Sequence, residues 1–167
     1  MKKEEISKYI DCTILKQDAL QDSILQLCNN AKKYNFKAVC VSPCYVNFCK
    51  EELKNSNTSV CTVIGFPHGL NTTEVKIFEG LDAIKNGADE LDIVINNSWT
   101  KSNKFDLIEK ELQDFSKSMK ESKKDIIIKV IIETSLLSDD EKIKIAKIVK
   151  NSGADFVKTS TGFSKGG

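Results

Sequence analysis

Short runs of β-branched or continuously apolar residues alternate along this chain with longer stretches in which apolar positions recur every three or four residues. The first pattern is that of strands buried on both faces and the second that of amphipathic helices. Their alternation predicts βα units built on a parallel sheet. Strands are predicted at 9–15, 38–42, 59–64, 90–95, 126–132 and 155–159. A helix is predicted at 22–34, where Ile24, Leu25, Leu27, Cys28 and Ala31 recur at helical spacing. Others are predicted from about 43 and at 73–86, 105–121 and 139–151, with 96–104 as the longest polar connection. Ser138 reads as the N-cap of the last helix, the acidic residues Asp139, Asp140 and Glu141 suit its positive end, and Gly153 stops it.

No linker, low-complexity tract or second composition regime divides residues 1–167, which read as one domain. Six strands admit either an open doubly wound sheet or an incomplete (β/α)8 barrel. The glycine fingerprint of a dinucleotide fold and the P-loop are both missing. Polar residues at several strands favour the barrel, because barrel enzymes assemble their chemistry from the ends of different strands. Asp11 lies in the first predicted strand, Asp92 in the fourth, Lys129 and Glu133 in the fifth and Lys158 in the sixth.

Composition narrows the function classes. A chain of 167 residues with 40% hydrophobic content can bury a core. Its 25 Lys and Arg against 24 Asp and Glu leave a net charge of +1, which gives no electrostatic case for nucleic acid or an anionic membrane. No apolar run approaches a membrane span and the N-terminus lacks the apolar region of a signal peptide, so a cytoplasmic location is expected. All 6 cysteines fall within the first 61 residues and none forms a Cys-x-x-Cys pair; they read as reduced, mostly core residues, and no metal site is expected. His68, the single histidine, reads as a turn residue after Pro67.

Side chains alternate across a strand, so Asp92 is walled by Leu91 and Ile93, and Lys129 falls within a run that should be buried on both sides. Lys158 follows the apolar Phe156-Val157 and leads into Thr159-Ser160-Thr161-Gly162. Two amines and a carboxylate in one low-dielectric lumen would hold one lysine charged and lower the pKa of the other. A neutral amine can attack a carbonyl. On position alone, Lys158 reads equally well as a lysine snorkelling to solvent, and Asp92 with Lys129 as a structural ion pair.

Several segments in unbroken order resemble the deoxyribose-phosphate aldolase family. They are Asp11-Cys12-Thr13-Ile14-Leu15-Lys16, Ala38-Val39-Cys40-Val41-Ser42-Pro43, Val63-Ile64-Gly65-Phe66-Pro67-His68-Gly69, Asn71-Thr72-Thr73-Glu74-Val75-Lys76, Gly87-Ala88-Asp89-Glu90-Leu91-Asp92, Lys129-Val130-Ile131-Ile132-Glu133-Thr134, and the run from Gly153 to Gly162. The resemblance implies a class I aldolase on a (β/α)8 TIM barrel. Such an enzyme reversibly cleaves 2-deoxy-D-ribose 5-phosphate into D-glyceraldehyde 3-phosphate and acetaldehyde, without metal or organic cofactor. It implies Lys158 as the imine-forming lysine, Asp92 as the proton relay and Lys129 as its electrostatic neighbour. By the same resemblance Asp11, Thr13, Leu15 and Cys40 line the substrate pocket, and Thr161 and Gly162 lie beside the sugar and phosphate end.

Cys12 departs from the family, many of whose members carry histidine there. The family also continues for two further strands, with a second active-site lysine and the phosphate-binding loops, so the sequence is expected to be cut short before strands seven and eight. The expected partners are small phosphorylated sugars and aldehydes, with a homodimer compatible with the resemblance. Two other readings stand beside it: a catalytically incomplete homologue serving as an assembly module, and a related imine-forming barrel aldolase with another aldehyde acceptor.

Overall fold

The computed structural model describes residues 3–165 and resolves into two compact units. The first runs to Val63 and takes in Ala83–Glu90; the second holds Ile64–Asp82 and the chain from Leu91 onward. Met1, Lys2 and the terminal Gly166 and Gly167 lie outside the described residues. In chain order the elements are α1 (Lys3–Ile6), β1 (Asp11–Ile14), α2 (Gln21–Tyr34), β2 (Ala38–Val41), α3 (Val46–Glu52), β3 (Ser59–Ile64) and α4 (Thr73–Lys85). They continue with β4 (Glu90–Val94), α5 (Asn97–Lys101), α6 (Phe105–Ser122), β5 (Ile127–Ile131), α7 (Asp139–Asn151) and β6 (Phe156–Lys158).

In the first unit β1, β2 and β3 lie parallel in that order, with Thr13 opposite Cys40 and Cys40 opposite Cys61. Parallel neighbours require a crossover, and α2 and α3 supply it. The apolar face of α2, formed by Ile24, Leu27, Cys28 and Ala31, is buried, as is every residue of β2. Thr62 is buried as well, its hydroxyl donating to the Val41 carbonyl at 2.7 Å. A buried hydroxyl is tolerated in the sheet because it finds that acceptor.

In the second unit β4, β5 and β6 follow one another, and β5 pairs with β6 in parallel register, Lys129 opposite Phe156 and Ile131 opposite Lys158. Ile108, Leu112, Phe115 and Met119 recur along one face of α6 and all are 0% exposed. Gly80 of α4 packs against that face: a Cβ there would come within 2.6 Å of the Met119 sulfur and 3.0 Å of the Phe115 ring. Absence of a side chain at Gly80 is therefore what lets α4 approach α6. Ser138 caps α7 in a reciprocal box, its Oγ accepting the Glu141 amide at 3.3 Å while the Glu141 carboxylate accepts the Ser138 amide at 2.7 Å.

The predicted strands are present, most of them a residue or two shorter than the apolar runs. Residues 96–104 are not a plain connection: Asn96 accepts from the Ser98 and Trp99 amides and starts α5. Tyr9 belongs to a turn of 3₁₀ helix at Ser7–Tyr9 that precedes β1. β5 stops at Ile131, and the Glu133 backbone is left-handed, with φ 54 and ψ 69. The alternation that would place Glu133 on the Lys129 face ends with the strand.

Candidate active site

Strand β4 carries a carboxylate into the core of the second unit. Asp92 is 0% exposed, as are its neighbours Leu91 and Ile93. An isolated carboxylate there would be costly, so its partners decide whether it is tolerated. Its Oδ1 accepts from Lys129 Nζ of β5 at 2.9 Å, and its Oδ2 accepts from Lys158 Nζ at the end of β6. One carboxylate thus receives an amine from each of the two following strands. The amines differ in access: the Lys129 side chain is 11% exposed and that of Lys158 32%. Lys158 is the more accessible of the two.

The loop beyond Lys158 is pinned from β5. The Ile132 amide donates to the Lys158 carbonyl at 3.0 Å and the Thr134 amide to the Thr159 carbonyl at 2.8 Å. Between these two bonds stands Glu133, whose carboxylate accepts from both the amide and the hydroxyl of Thr161. Thr161 is half-buried and Gly162 exposed, the latter at φ +81, a conformation that favours glycine. Phe163, next in the chain, meets Phe66 edge to face with ring centroids 5.2 Å apart.

Phe66 belongs to the turn 65–69 that follows β3, and glycines at both ends shape that turn. Gly69 has φ +69, and a Cβ on it would lie 2.0 Å from the Ile95 carbonyl oxygen. The Gly65 amide donates to Glu79 Oε2 of α4 at 2.7 Å. Burial raises the Glu79 carboxyl above its ordinary value, while the Gly65 amide and Lys76 act against that rise. His68 sits in this turn and is exposed, as its position after Pro67 predicts.

A second buried ion pair escaped the sequence reading. Lys76 of α4 and Glu111 of α6 are both fully buried, with Lys76 Nζ 2.7 Å from Glu111 Oε1 and 3.0 Å from the Val94 carbonyl at the end of β4. Thr73 donates to Glu111 Oε2 at 3.1 Å. Burial lowers the Lys76 ammonium and raises the Glu111 carboxyl, each opposed by the other member of the pair. The signal was present in the sequence. Lys76 shares a helical face with Gly80 and Ala83, both buried, so the helical period places a lysine on the core side.

The remaining sequence-predicted residues belong to the first unit. Asp11 and Thr13 lie on β1, where the Thr13 hydroxyl donates to the Asp11 carbonyl at 2.9 Å. Leu15 follows the strand, and with Thr13, Lys16, Asp18 and Ser23 it lines a cleft of about 420 Å³. Cys40 is wholly buried in β2. Cys12, the departure from the family pattern, is half-buried, and burial pushes its thiol up against the opposing pull of the Thr13 backbone.

Comparison with known proteins agrees with the resemblance. The DeoC/LacD family aldolase profile matches residues 6–166. The deoxyribose-phosphate aldolase of Lactococcus lactis subsp. cremoris is 55% identical over 163 residues, which cover 98% of this chain and 72% of the relative. That of Thermoanaerobacter pseudethanolicus is 50% identical over 97% of this chain and 72% of its own length. Among solved structures, the tetrameric deoxyribose phosphate aldolase of Aeropyrum pernix superimposes with a TM-score of 0.89 at 30% identity, covering 99% of this chain and 68% of that one. The aldolase QR15 gives 0.87 at 39% identity, over 96% and 70%. The chain has the βα architecture of these TIM-barrel enzymes and belongs to the DeoC/LacD family of aldolases, the lyases whose deoxyribose-phosphate aldolases it matches over nearly its whole length.

Proposed function

We propose that this chain carries the imine-forming half of a deoxyribose-phosphate aldolase site, with Lys158 as nucleophile, Asp92 as proton relay and Lys129 as its fixed counter-charge. The observation that carries the reading is the single buried carboxylate shared by two amines of unequal exposure. With both amines protonated, the three groups hold one excess positive charge. Departure of a proton from Lys158 leaves a charge-balanced Asp92–Lys129 pair beside a neutral amine.

That amine attacks the aldehyde carbon of open-chain 2-deoxyribose 5-phosphate, and loss of water gives the imine. The C3 hydroxyl passes its proton to the Asp92 relay, the C2–C3 bond breaks and its electron pair moves into the iminium, so D-glyceraldehyde 3-phosphate leaves and an enamine remains on Lys158. Asp92, within hydrogen-bond reach of the amine, is placed to pass protons during addition and release. Protonation of the enamine and hydrolysis return acetaldehyde and the lysine. The scheme uses no metal or organic cofactor.

Thr161 and Gly162 take the sugar and phosphate end in this reading, while Asp11, Thr13, Leu15 and Cys40 belong to the pocket wall. In this reading the chain belongs to a single barrel domain, and Phe156 and Val157 of β6, 56% and 44% exposed, offer apolar surface for a neighbouring strand. Its location is cytoplasmic, and no helix among the described residues is long and apolar enough to cross a membrane. Its partners are small phosphorylated sugars and aldehydes and a second copy of itself.

Joining the chain to the part of the Lactococcus lactis relative that it does not cover tests the reading. The joined protein should release acetaldehyde from deoxyribose 5-phosphate, and the 167 residues alone should turn over little. Lys158→Ala in the joined protein should lower the rate at least about a thousandfold. Equal rates with lysine and alanine at this position would contradict it.

A further inference from the structure

Glu133 is the most unusual residue beside the site. It is 3% exposed, and its backbone takes a left-handed φ of 54, rarely adopted by side chains of this kind. Residues held in such conformations cluster at functional sites, where the surrounding structure over-determines them. Here the determinants are the amides of Ile132 and Thr134, which bind the carbonyls of Lys158 and Thr159 on either side of it. Held in this way, Glu133 directs its carboxylate at Thr161 and at no reacting atom.

A threonine hydroxyl has one proton to donate and two lone pairs to accept with. The Thr161 proton goes to Glu133 Oε2, and one lone pair receives the Phe163 amide at 3.0 Å. One lone pair is left. Next to Thr161 in the chain, the Ser160 hydroxyl is buried without a hydrogen-bond partner. The loop after the reactive lysine therefore holds one committed acceptor and one buried donor that the protein itself does not use.

We propose that Glu133 is a positioning residue that fixes the Thr161 hydroxyl as an acceptor, so that this hydroxyl receives a hydroxyl of the sugar rather than a phosphate or carbonyl oxygen. The inference rests on the reading that Thr161 faces substrate. A hydrogen-bond donor on the substrate is rewarded at this position. An oxygen without a proton meets a lone pair and is repelled. Glu133 thereby contributes to selecting a polyhydroxylated aldehyde over a plain one without touching it.

Glu133→Gln keeps the shape and the backbone bonds but supplies an amide N–H₂ that can occupy the last lone pair of Thr161. The chain is treated with borohydride over a range of acetaldehyde, then of deoxyribose 5-phosphate, and the half-saturating concentration for trapping at Lys158 is measured for each. The ratio of the sugar phosphate value to the acetaldehyde value should rise about tenfold in Glu133→Gln, as expected for loss of one hydrogen bond to a charge-held partner. A second variant, Thr161→Val, should raise the same ratio, and the double variant should raise it no further than Thr161→Val does.

An unchanged ratio, or additive effects in the double variant, would overturn the inference, because a merely structural Glu133 alters both aldehydes together. If Glu133→Gln does not fold, Thr161→Val decides by the same ratio. A wild-type chain that traps acetaldehyde at Lys158 but not the sugar phosphate also overturns it. Failure of wild type to trap acetaldehyde at Lys158 refutes the assignment of the nucleophile itself, which is a different result.

Discussion

Lys129 and Lys158 donate to opposite oxygens of one carboxylate, the first from the middle of β5 and the second from the end of β6. Parallel register sets Ile131 opposite Lys158, which brings two lysines of different strand depth to the same aspartate. The deeper amine is the one better shielded from water, and the shallower is the more accessible. Their difference in access follows from their depth along the strands.

Asp92→Asn removes the shared anion and leaves two ammonium groups facing a neutral amide. Adduct formation at Lys158 should slow by about a hundredfold or more, the range over which a placed acid–base group acts. Breaking a buried pair from one side also costs about 3–5 kcal/mol of stability, and the partial exposure of Lys158 places this case toward the lower value. Trapping kinetics and urea unfolding read the two effects separately. An unchanged trapping rate would remove Asp92 from the mechanism.

Lys76 and Glu111 are buried to the same degree, so neither charge has water to fall back on. Lys76→Met alone should destabilise by about 3–5 kcal/mol, because it leaves a buried carboxylate with the Thr73 hydroxyl as a remaining partner. Lys76→Met combined with Glu111→Leu should recover most of that loss. Urea midpoints at constant slope provide the comparison. A double variant as unstable as the sum of the singles would show that the pair is worth more than its desolvation costs.

Burial holds the Glu79 carboxyl above its ordinary value of 4.5, so the folded state keeps this proton where the unfolded chain has lost it. Its stabilising contribution is fully present below 4.5 and is lost as pH rises through the raised folded value. Glu79→Gln removes the titration while keeping an oxygen for the Gly65 amide. The variant should therefore compare more favourably with wild type at about pH 7 than near the ordinary carboxyl value. Equilibrium unfolding across that interval gives the answer, and a difference that does not vary with pH would contradict it.

The turn at Gly69 makes a sharper demand. Its φ of +69 and the Ile95 carbonyl 2.0 Å from a would-be Cβ leave no room for alanine. Gly69→Ala should cost at least about 1–3 kcal/mol and shift the turn that carries Phe66, loosening its contact with Phe163. Thermal unfolding, together with aromatic NMR shifts of Phe163, reports both. A variant with wild-type stability would contradict the steric account.

Much of this arrangement was legible in the sequence because strand burial leaves a plain mark. Ser59–Ile64 was bounded by its apolar run alone, and the charges at Asp92, Lys129 and Lys158 stood out as intrusions in apolar strands. α5 was not legible, since Asn97–Lys101 has no apolar period and declares itself only through the Asn96 cap. Glu133 was misplaced because alternation says nothing of where a strand ends, and a left-handed residue turned it toward Thr161 instead. The alliance of Asp92 with both lysines at once depends on register between strands, which no single stretch of sequence encodes.

Borohydride reduction in the presence of acetaldehyde, followed by peptide mass mapping, tests the central claim most directly. Lys158 should carry the reduced two-carbon adduct, and Lys158→Ala should abolish it while leaving the fold intact. An adduct confined to Lys129, or undiminished labelling in Lys158→Ala, would contradict the assignment.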